Sequence, residues 1–480
     1  MIGAMTRKVV ASLAWQGAAT FVTHLASWLS TLLVIRLLSP SDYGVLAMGT
    51  LVIGFLMLIG DLGVGAIVVQ APSLRRPQLQ ALFGVAFQTY LLVSVIAFAS
   101  APLTAAFFAE PRLIPIVRAL SLSFVLAGLY SVPQALLQRE LEFDRKARVD
   151  MLATLGASAS ALALAFGGFG VWALVGALLV SHAFRAVAFQ IVRPCLFLPF
   201  PTLAELRGMV HFGGLVTLDR ILWFGYTSVD VAVAGRWLGG ALVGVYSVAL
   251  SLASMPLDKI MPIVTQVSFS ALSRTQDDPE RLRRGMLCAL ELVSLFAFPT
   301  FLGMAAVAPE AIGVFLGPKW TDVVVPFQIL CLVLPFRALG LLFSPALFAT
   351  GRPRSSVENN AATLAGVALG LLVGVQWGVA GLCAGWLAGY VPVFCAVASR
   401  SLVMLQIPLG RAVAAMATPL GAGMAMCIGV LGARSLVAGA LPQAAALAVL
   451  SLLGVAIYGI LISAFRPQVL RSFWLVGERV

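Results

Sequence analysis

Apolar residues run through this chain in blocks of twenty or more, broken by short polar turns instead of alternating with polar residues. Blocks of that length match the hydrocarbon thickness of a bilayer, where a helix satisfies its own backbone polar groups. They predict fourteen helices, at approximately 9–35, 45–70, 79–108, 113–138, 149–167, 171–192, 210–235, 243–270, 286–308, 323–349, 357–376, 379–403, 412–432 and 443–464. A transmembrane β-barrel requires alternation along each strand and is excluded. The first block follows Arg7 and Lys8, as in a signal peptide. It continues to about Ile35 without a small-residue cleavage site, so a retained first helix is expected. The fold class is an all-α polytopic membrane protein.

Composition removes the soluble alternatives. Of 480 residues, 61% are hydrophobic and 10% charged, against about 25% charged in a typical soluble protein. The charges that remain carry topology. Alternate segments hold 21 Lys and Arg, among them Arg139, Arg145, Lys146, Arg148 and Arg281, Arg283, Arg284, whereas the other set holds five: Arg36, Arg112, Arg236, Lys319 and Arg434. The richer side is expected to be cytoplasmic, with both termini there and the 309–322 loop outside. The net charge of +12 reflects this asymmetry and contact with anionic membrane lipid. Spread over eight short loops, it does not form a nucleic-acid surface. The six cysteines form no CxxC pair and the three histidines have no metal spacing, so neither a metal nor a cofactor is expected.

The chain repeats itself. At an offset of 200, Arg36-Leu37-Leu38 aligns with Arg236-Trp237-Leu238 and Gly44-Val45 with Gly244-Val245. At an offset of 208, Val149-Asp150 aligns with Val357-Glu358 and Gly170-Val171 with Gly378-Val379. Each match falls at a corresponding hairpin or helix start. A duplicated six-helix unit has the same orientation in both copies, related by an axis along the membrane normal. The expected organisation is a six-helix bundle over 1–192, a cytoplasmic linker over 193–209, a second bundle over 210–403, and two further helices with a tail over 404–480. Such a duplication suits alternating access, and Pro102, Pro133, Pro256, Pro262, Pro335, Pro345 and Pro392 inside apolar runs supply points of bending.

Five cations fall within predicted spans: Arg118, Arg185, Arg220, Lys259 and Arg337. Each costs about 2.5–3.5 kcal/mol at mid-depth facing lipid, so a hydrated interior or a buried partner is required. Arg185, near a helix end, can instead snorkel to the surface. The anions Asp61, Asp219, Asp230, Asp258 and Glu291 accompany them; Asp61, Asp230 and Glu291 are candidates for ion coupling. Helix 1 carries Gln16, Thr20, Thr23, Ser27 and Ser30 on one face. The offset of 200 equates them with Val216, Arg220, Trp223, Thr227 and Asp230. Hydroxyls and aromatic faces suit sugars and a guanidinium suits phosphate, so these two stripes with Arg118, Lys259 and Arg337 are the candidate cavity wall. Small hydroxyl residues also pack helices together, and that alternative stays open.

The hairpin segment Arg36-Leu37-Leu38-Ser39-Pro40-Ser41-Asp42-Tyr43-Gly44, followed by Asp61-Leu62-Gly63-Val64-Gly65 and Gln70, resembles the polysaccharide transport family of oligosaccharide flippases, the Wzx type. So does Gln138-Arg139-Glu140-Leu141-Glu142-Phe143 with Gly168-Phe169-Gly170-Val171-Trp172-Ala173-Leu174, which is similar to the exopolysaccharide-exporter branch. The resemblance covers roughly residues 10–400. It implies the multidrug/oligosaccharidyl-lipid/polysaccharide exporter fold in a bacterial inner membrane. It also implies a substrate, an undecaprenyl-pyrophosphate-linked oligosaccharide turned from the cytoplasmic to the periplasmic leaflet, and other polysaccharide assembly proteins as partners. Helix 1 has no cation before Arg36, a departure from the related lipid II flippases.

Two rival functions use the same features differently. A multidrug/cation antiporter of the same superfamily predicts an anionic cavity, whereas here cations match anions within the spans. A membrane glycosyltransferase or polymerase could use Asp42 as a catalytic acid, but the external loops, of which 309–322 is the longest internal one, leave little room for an acceptor site. The expectation is a transporter and not an enzyme.

Overall fold

A computed structural model describes residues 27–61, 64–70, 74–195, 214–274, 279–437 and 439–465. The described elements are α1 (Ser27–Leu37), α2 (Pro40–Asp61), α3 (Val64–Gln70), α4 (Arg76–Phe108), α5 (Leu113–Arg139), α6 (Phe143–Phe166), α7 (Val171–Val192) and α8 (Gly214–Trp237). They continue with α9 (Gly240–Arg274), α10 (Pro279–Ala306), α11 (Ala308–Phe315), α12 (Val324–Gly340), α13 (Phe343–Ala349), α14 (Pro353–Gly374), α15 (Gly378–Met404), α16 (Leu409–Val437) and α17 (Gln443–Phe465). No β-strand occurs among the described residues. Eleven helical stretches among them are long and apolar enough to cross a membrane, one being the α14–α15 hairpin over Pro353–Met404. The expected all-helical membrane fold is therefore what the chain adopts, while that tally is not the fourteen read from the apolar blocks.

Helix ends follow local chemistry. Proline opens α2, α10 and α14, where its missing N–H costs nothing. Ser39 and Asp42 form a capping box on α2: the Ser39 amide donates to Asp42 Oδ2 at 3.0 Å, and the Asp42 amide donates to Ser39 Oγ at 3.3 Å. Leu141, at φ +58°, closes α5: the Glu142 amide returns to the Leu137 carbonyl at 2.9 Å and the Leu141 amide to Gln138 at 3.2 Å. The repeat offsets fall on these boundaries. α1 and α8 end at Leu37 and Trp237, and α2 and α9 begin at Pro40 and Gly240. α6 and α14 end at Phe166 and Gly374, each followed by a glycine at positive φ, Gly170 and Gly378.

The chain divides into two compact units. The first is Met1–Gly214 with Gly239–Gly244. Its α4 and α5 pack side by side, and α6 with α7 forms a second pair resting on α5. Phe83, Ile116, Leu120, Phe124 and Phe189 fill the interior. Where 40–44 meets 240–244 the contact is backbone on backbone: a Cβ on Gly244 would lie 1.6 Å from the Pro40 carbonyl oxygen, and one on Gly44 would lie 1.8 Å from that of Gly240.

The second unit is Leu215–Leu238 with Val245–Val480. In it α10 packs on α12 and α16, α17 lies along α16, and α14 pairs with α15. The last pair is a glycine seam. Gly366, Gly370 and Gly374 face Gly389, Gly385 and Gly381, and a Cβ on any of the six would approach an opposing backbone oxygen to 3.2 Å or less. Without side chains between them the two backbones approach as in small-xxx-small membrane pairs. Gly370→Ala is expected to separate the hairpin, because its Cβ would sit 2.3 Å from the Gly385 carbonyl oxygen. The measurement is the thermal midpoint of purified protein and its membrane abundance. Both should fall, whereas Gly432→Ala, in open space on α16, should change neither.

Candidate functional site

The stripe of α8 splits into two surroundings. Arg220 and Trp223 are exposed on the helix surface, with the Trp223 ring edge-on to Tyr226 at 6.4 Å between centroids. The Thr227 hydroxyl donates to the carbonyl oxygens of Trp223 and Phe224, at 2.9 and 3.1 Å. Asp230, read from the offset as the stripe's last member, does not share it: its side chain is fully buried. Seven residues at 100° each bring it within about 20° of the exposed Trp223, so what separates them is position along α8: two turns on, Tyr246 of α9 covers the helix. The neighbouring Asp219 turns to α14, where its Oδ1 accepts from Ser356 Oγ and Asn360 Nδ2, both at 2.9 Å.

Around Asp230 the second unit builds a buried polar chain. The Tyr246 hydroxyl on α9 donates to Asp230 Oδ2 at 2.5 Å, and the Val231 amide donates to Oδ1 at 2.7 Å. Trp386 Nε1 on α15 donates to the Tyr246 oxygen at 2.8 Å. Over the Trp386 ring lies the Arg337 guanidinium of α12, 4.9 Å from the centroid. Asp230, Tyr246 and Trp386 are fully buried and Arg337 is half-buried. An acid and a cation thus sit in one network without touching, bridged by two aromatic side chains. The pattern of charges pointed to Asp230 and Arg337; it did not point to Tyr246 or Trp386. Their signal was weak, since aromatic residues are ordinary in spans and four separate helices supply the members.

In the first unit Arg118 is exposed on α5, its guanidinium 4.9 Å from the centre of the Phe98 ring on α4. Arg185 is not isolated at the surface: its Nε lies 3.0 Å from Asp150 Oδ1, whose other oxygen holds Lys146 Nζ at 2.8 Å. Tyr130 and His182 meet beside them at 3.1 Å. Ser27 on α1 gives its carbonyl to Thr31, and Ser30 reaches the Ser158 carbonyl on α6 at 3.2 Å. Glu291 is half-buried on α10. Gln16, Thr20 and Thr23 lie outside the described residues, and for Asp61 and Lys259 only the backbone, on α2 and α9, is described. Among the described residues no group of three His, Cys, Asp or Glu could hold a metal.

The two motifs that carry the resemblance meet at one place. Asp42, besides capping α2, accepts the Val171 amide at 3.1 Å and lies against Gly170, joining the 36–44 turn to the 168–174 turn. Arg112 ties a third turn to it, donating to Ser41 Oγ and Glu110, each at 2.8 Å. Hydrogen bonds from Arg112 hold the Glu110 carboxyl below the usual range. Asp42 is thus occupied by three backbone or hydroxyl donors, and a role as catalytic acid finds no support in its surroundings. Asp42→Ala is expected to cost about 1–2 kcal/mol in thermal unfolding, the loss of a helix cap. Asp42→Asn, which keeps an acceptor, should restore most of it.

Helices of bilayer length with exposed apolar flanks, buried polar networks and cations on helix surfaces define a polytopic membrane protein. Its fold is that of an inward closed lipid II flippase MurJ structure, with a TM-score of 0.76 at 14% identity over 95% of this chain and all of the other. An inward-facing multidrug resistance MATE transporter of the MOP superfamily gives 0.62 at 16% identity, over 79% of this chain and 94% of that one. Residues 33–325 match the family described as polysaccharide biosynthesis protein, and the chain belongs to that family. Among relatives, the lipopolysaccharide biosynthesis protein WzxC of Escherichia coli (strain K12) is 27% identical over 74% of this chain and 73% of its own length. The teichuronic acid biosynthesis protein TuaB of Bacillus subtilis (strain 168) is 25% identical over 74% of each. The succinoglycan biosynthesis transport protein ExoT of Rhizobium meliloti (strain 1021) is 24% identical over 65% of this chain and 64% of its own length.

Proposed function

We propose that this chain is a flippase for a lipid-linked oligosaccharide, moving a polysaccharide repeat unit on undecaprenyl pyrophosphate from the cytoplasmic to the periplasmic leaflet of the inner membrane by alternating access. The observation that carries it is Arg220 beside Trp223 on the exposed face of α8. A guanidinium on a membrane helix is costly against lipid and favourable against a pyrophosphate, and an indole face packs on a sugar ring. Within the same unit Arg337 adds positive charge on α12, and a pyrophosphate in a low-dielectric cavity requires such charge. Family membership, the transporter fold and a relative named as a transport protein support the same reading. Asp230, able to exchange a proton within the Tyr246–Trp386 network, is the proposed coupling group.

The test is reconstitution of the purified chain in vesicles with a lipid-linked oligosaccharide. Flipping changes the leaflet while the product mass stays constant; a change of mass, the mark of a glycosyltransferase, would refute the reading. The proposed topology has both termini in the cytoplasm. A reporter fused near Lys319 is expected to read as periplasmic, and a cytoplasmic reading would overturn the charge argument.

A further inference from the structure

Along the α14–α15 hairpin the glycine seam leaves a groove. Its volume is about 790 Å³, within the range of ligand pockets. Its walls are apolar, formed by Leu369 and Val373 of α14, Ala384, Ala388 and Val393 of α15, and Ile329 of α12. From Val393 to Trp377 it follows α15 for about 24 Å, most of the hydrocarbon thickness. Leu369 and Ala384 are exposed on its flanks, so it opens sideways and not into the helix bundle.

One end of the same hairpin is cationic. Arg354 and Arg400 share a single carboxylate, Glu358; Arg354 Nε lies 3.2 Å from it and Arg400 closes on its other oxygen. Two guanidiniums on one carboxylate leave a net positive charge, and Arg354 is 88% exposed. Seven or eleven residues of helix return to within about 20° of one face, so Arg400 lies in line with Val393 and Glu358 with Leu369, both groove residues. The charge therefore sits about two turns beyond the end of the groove and on its side of the hairpin. The charge asymmetry expects this end in the cytoplasm.

We infer that this groove seats the polyprenyl chain of the lipid-linked substrate, with the pyrophosphate held at Arg354 and Arg400. A single slot takes one chain, as a prenyl lipid supplies, where a glycerophospholipid brings two. The excess positive charge at its end meets a pyrophosphate. The inference rests on the transport reading above.

The experiment uses the full chain in phospholipid vesicles with a polyprenyl pyrophosphate carrying a diazirine in its chain, read by mass spectrometry of the labelled protein. Label is expected within 366–393. Ala384→Phe fills the groove from an exposed position without entering the glycine seam, and should lower labelling and flipping about tenfold. Arg354→Gln with Arg400→Gln should lower labelling severalfold for the pyrophosphate and leave a neutral prenol probe unchanged. Leu452→Phe, on the exposed face of α17, should alter neither. Label spread over all exposed helices, displacement by an equal mole fraction of phosphatidylglycerol, or unchanged labelling of Ala384→Phe would overturn the site while leaving the transport reading intact. Groove labelling by a wild-type protein that flips nothing would instead overturn the transport reading and keep the groove.

Discussion

Arg220→Ala is expected to abolish polysaccharide export while the protein stays near its normal abundance in the membrane. The side chain is exposed on α8, so its removal opens no cavity in the second unit. On the proposed reading, the loss is of a bidentate, charge-assisted pair with a phosphate, worth about 1.5–3 kcal/mol per hydrogen bond to a charged group. Two such bonds lost from the loaded cavity correspond to a rate fall of about 100-fold or more. Arg220→Lys should recover part of the rate, because the charge survives and the planar fork does not. The measurement is flipping in vesicles alongside immunodetection in membranes. Normal export from a stably present Arg220→Ala protein would remove this residue from the site.

The second large effect belongs to the buried network. Tyr246→Phe removes one oxygen and leaves two groups unserved, the Asp230 Oδ2 and the Trp386 Nε1. Each buried group without a partner costs about 1–3 kcal/mol, so the thermal midpoint of the purified protein should drop sharply. Asp230→Asn separates architecture from transport. An asparagine oxygen can still accept from Tyr246, although its amide group then meets the Val231 N–H that Oδ1 now serves, so abundance should survive and the midpoint should fall less than in Tyr246→Phe. The negative charge is gone, and with it, if Asp230 couples an ion, the dependence of flipping on an imposed proton gradient. A variant that flips with an unchanged gradient response would reduce Asp230 to a structural acceptor.

How much of this was legible in the sequence depends on the kind of interaction. Helix boundaries were readable because caps and turns are local: Pro40, Ser39 with Asp42, and Gly170 act within a few residues of their own position. The polypeptide's membrane character followed from the length of apolar blocks. Side-chain partners were another matter. Asp219 and Arg220 are adjacent in sequence, yet Asp219 pairs with Ser356 and Asn360, more than 130 positions away. Asp150 gathers both Lys146 and Arg185, one a helical turn away and one on another helix. Such pairings depend on how the helices dock, which a helical period cannot report. Nor could the period report that Asp230, on nearly the same face as the exposed Trp223 but two turns along α8, is covered by Tyr246 of α9.

The glycine seam bears on how the protein is made. A bilayer offers its helices no hydrophobic driving force for association, so the order in which they find each other rests on shape. The strand of chain from Pro353 to Met404 emerges from the ribosome as two spans joined by a three-residue turn, already matched backbone to backbone. It can assemble as soon as both spans have left the translocation channel, before α16 and α17 exist. The finished hairpin would then dock through α15 onto α12, made before it, while α16 joins α10, and a bulky residue at Gly370 would be felt already during synthesis, as degradation of nascent chains.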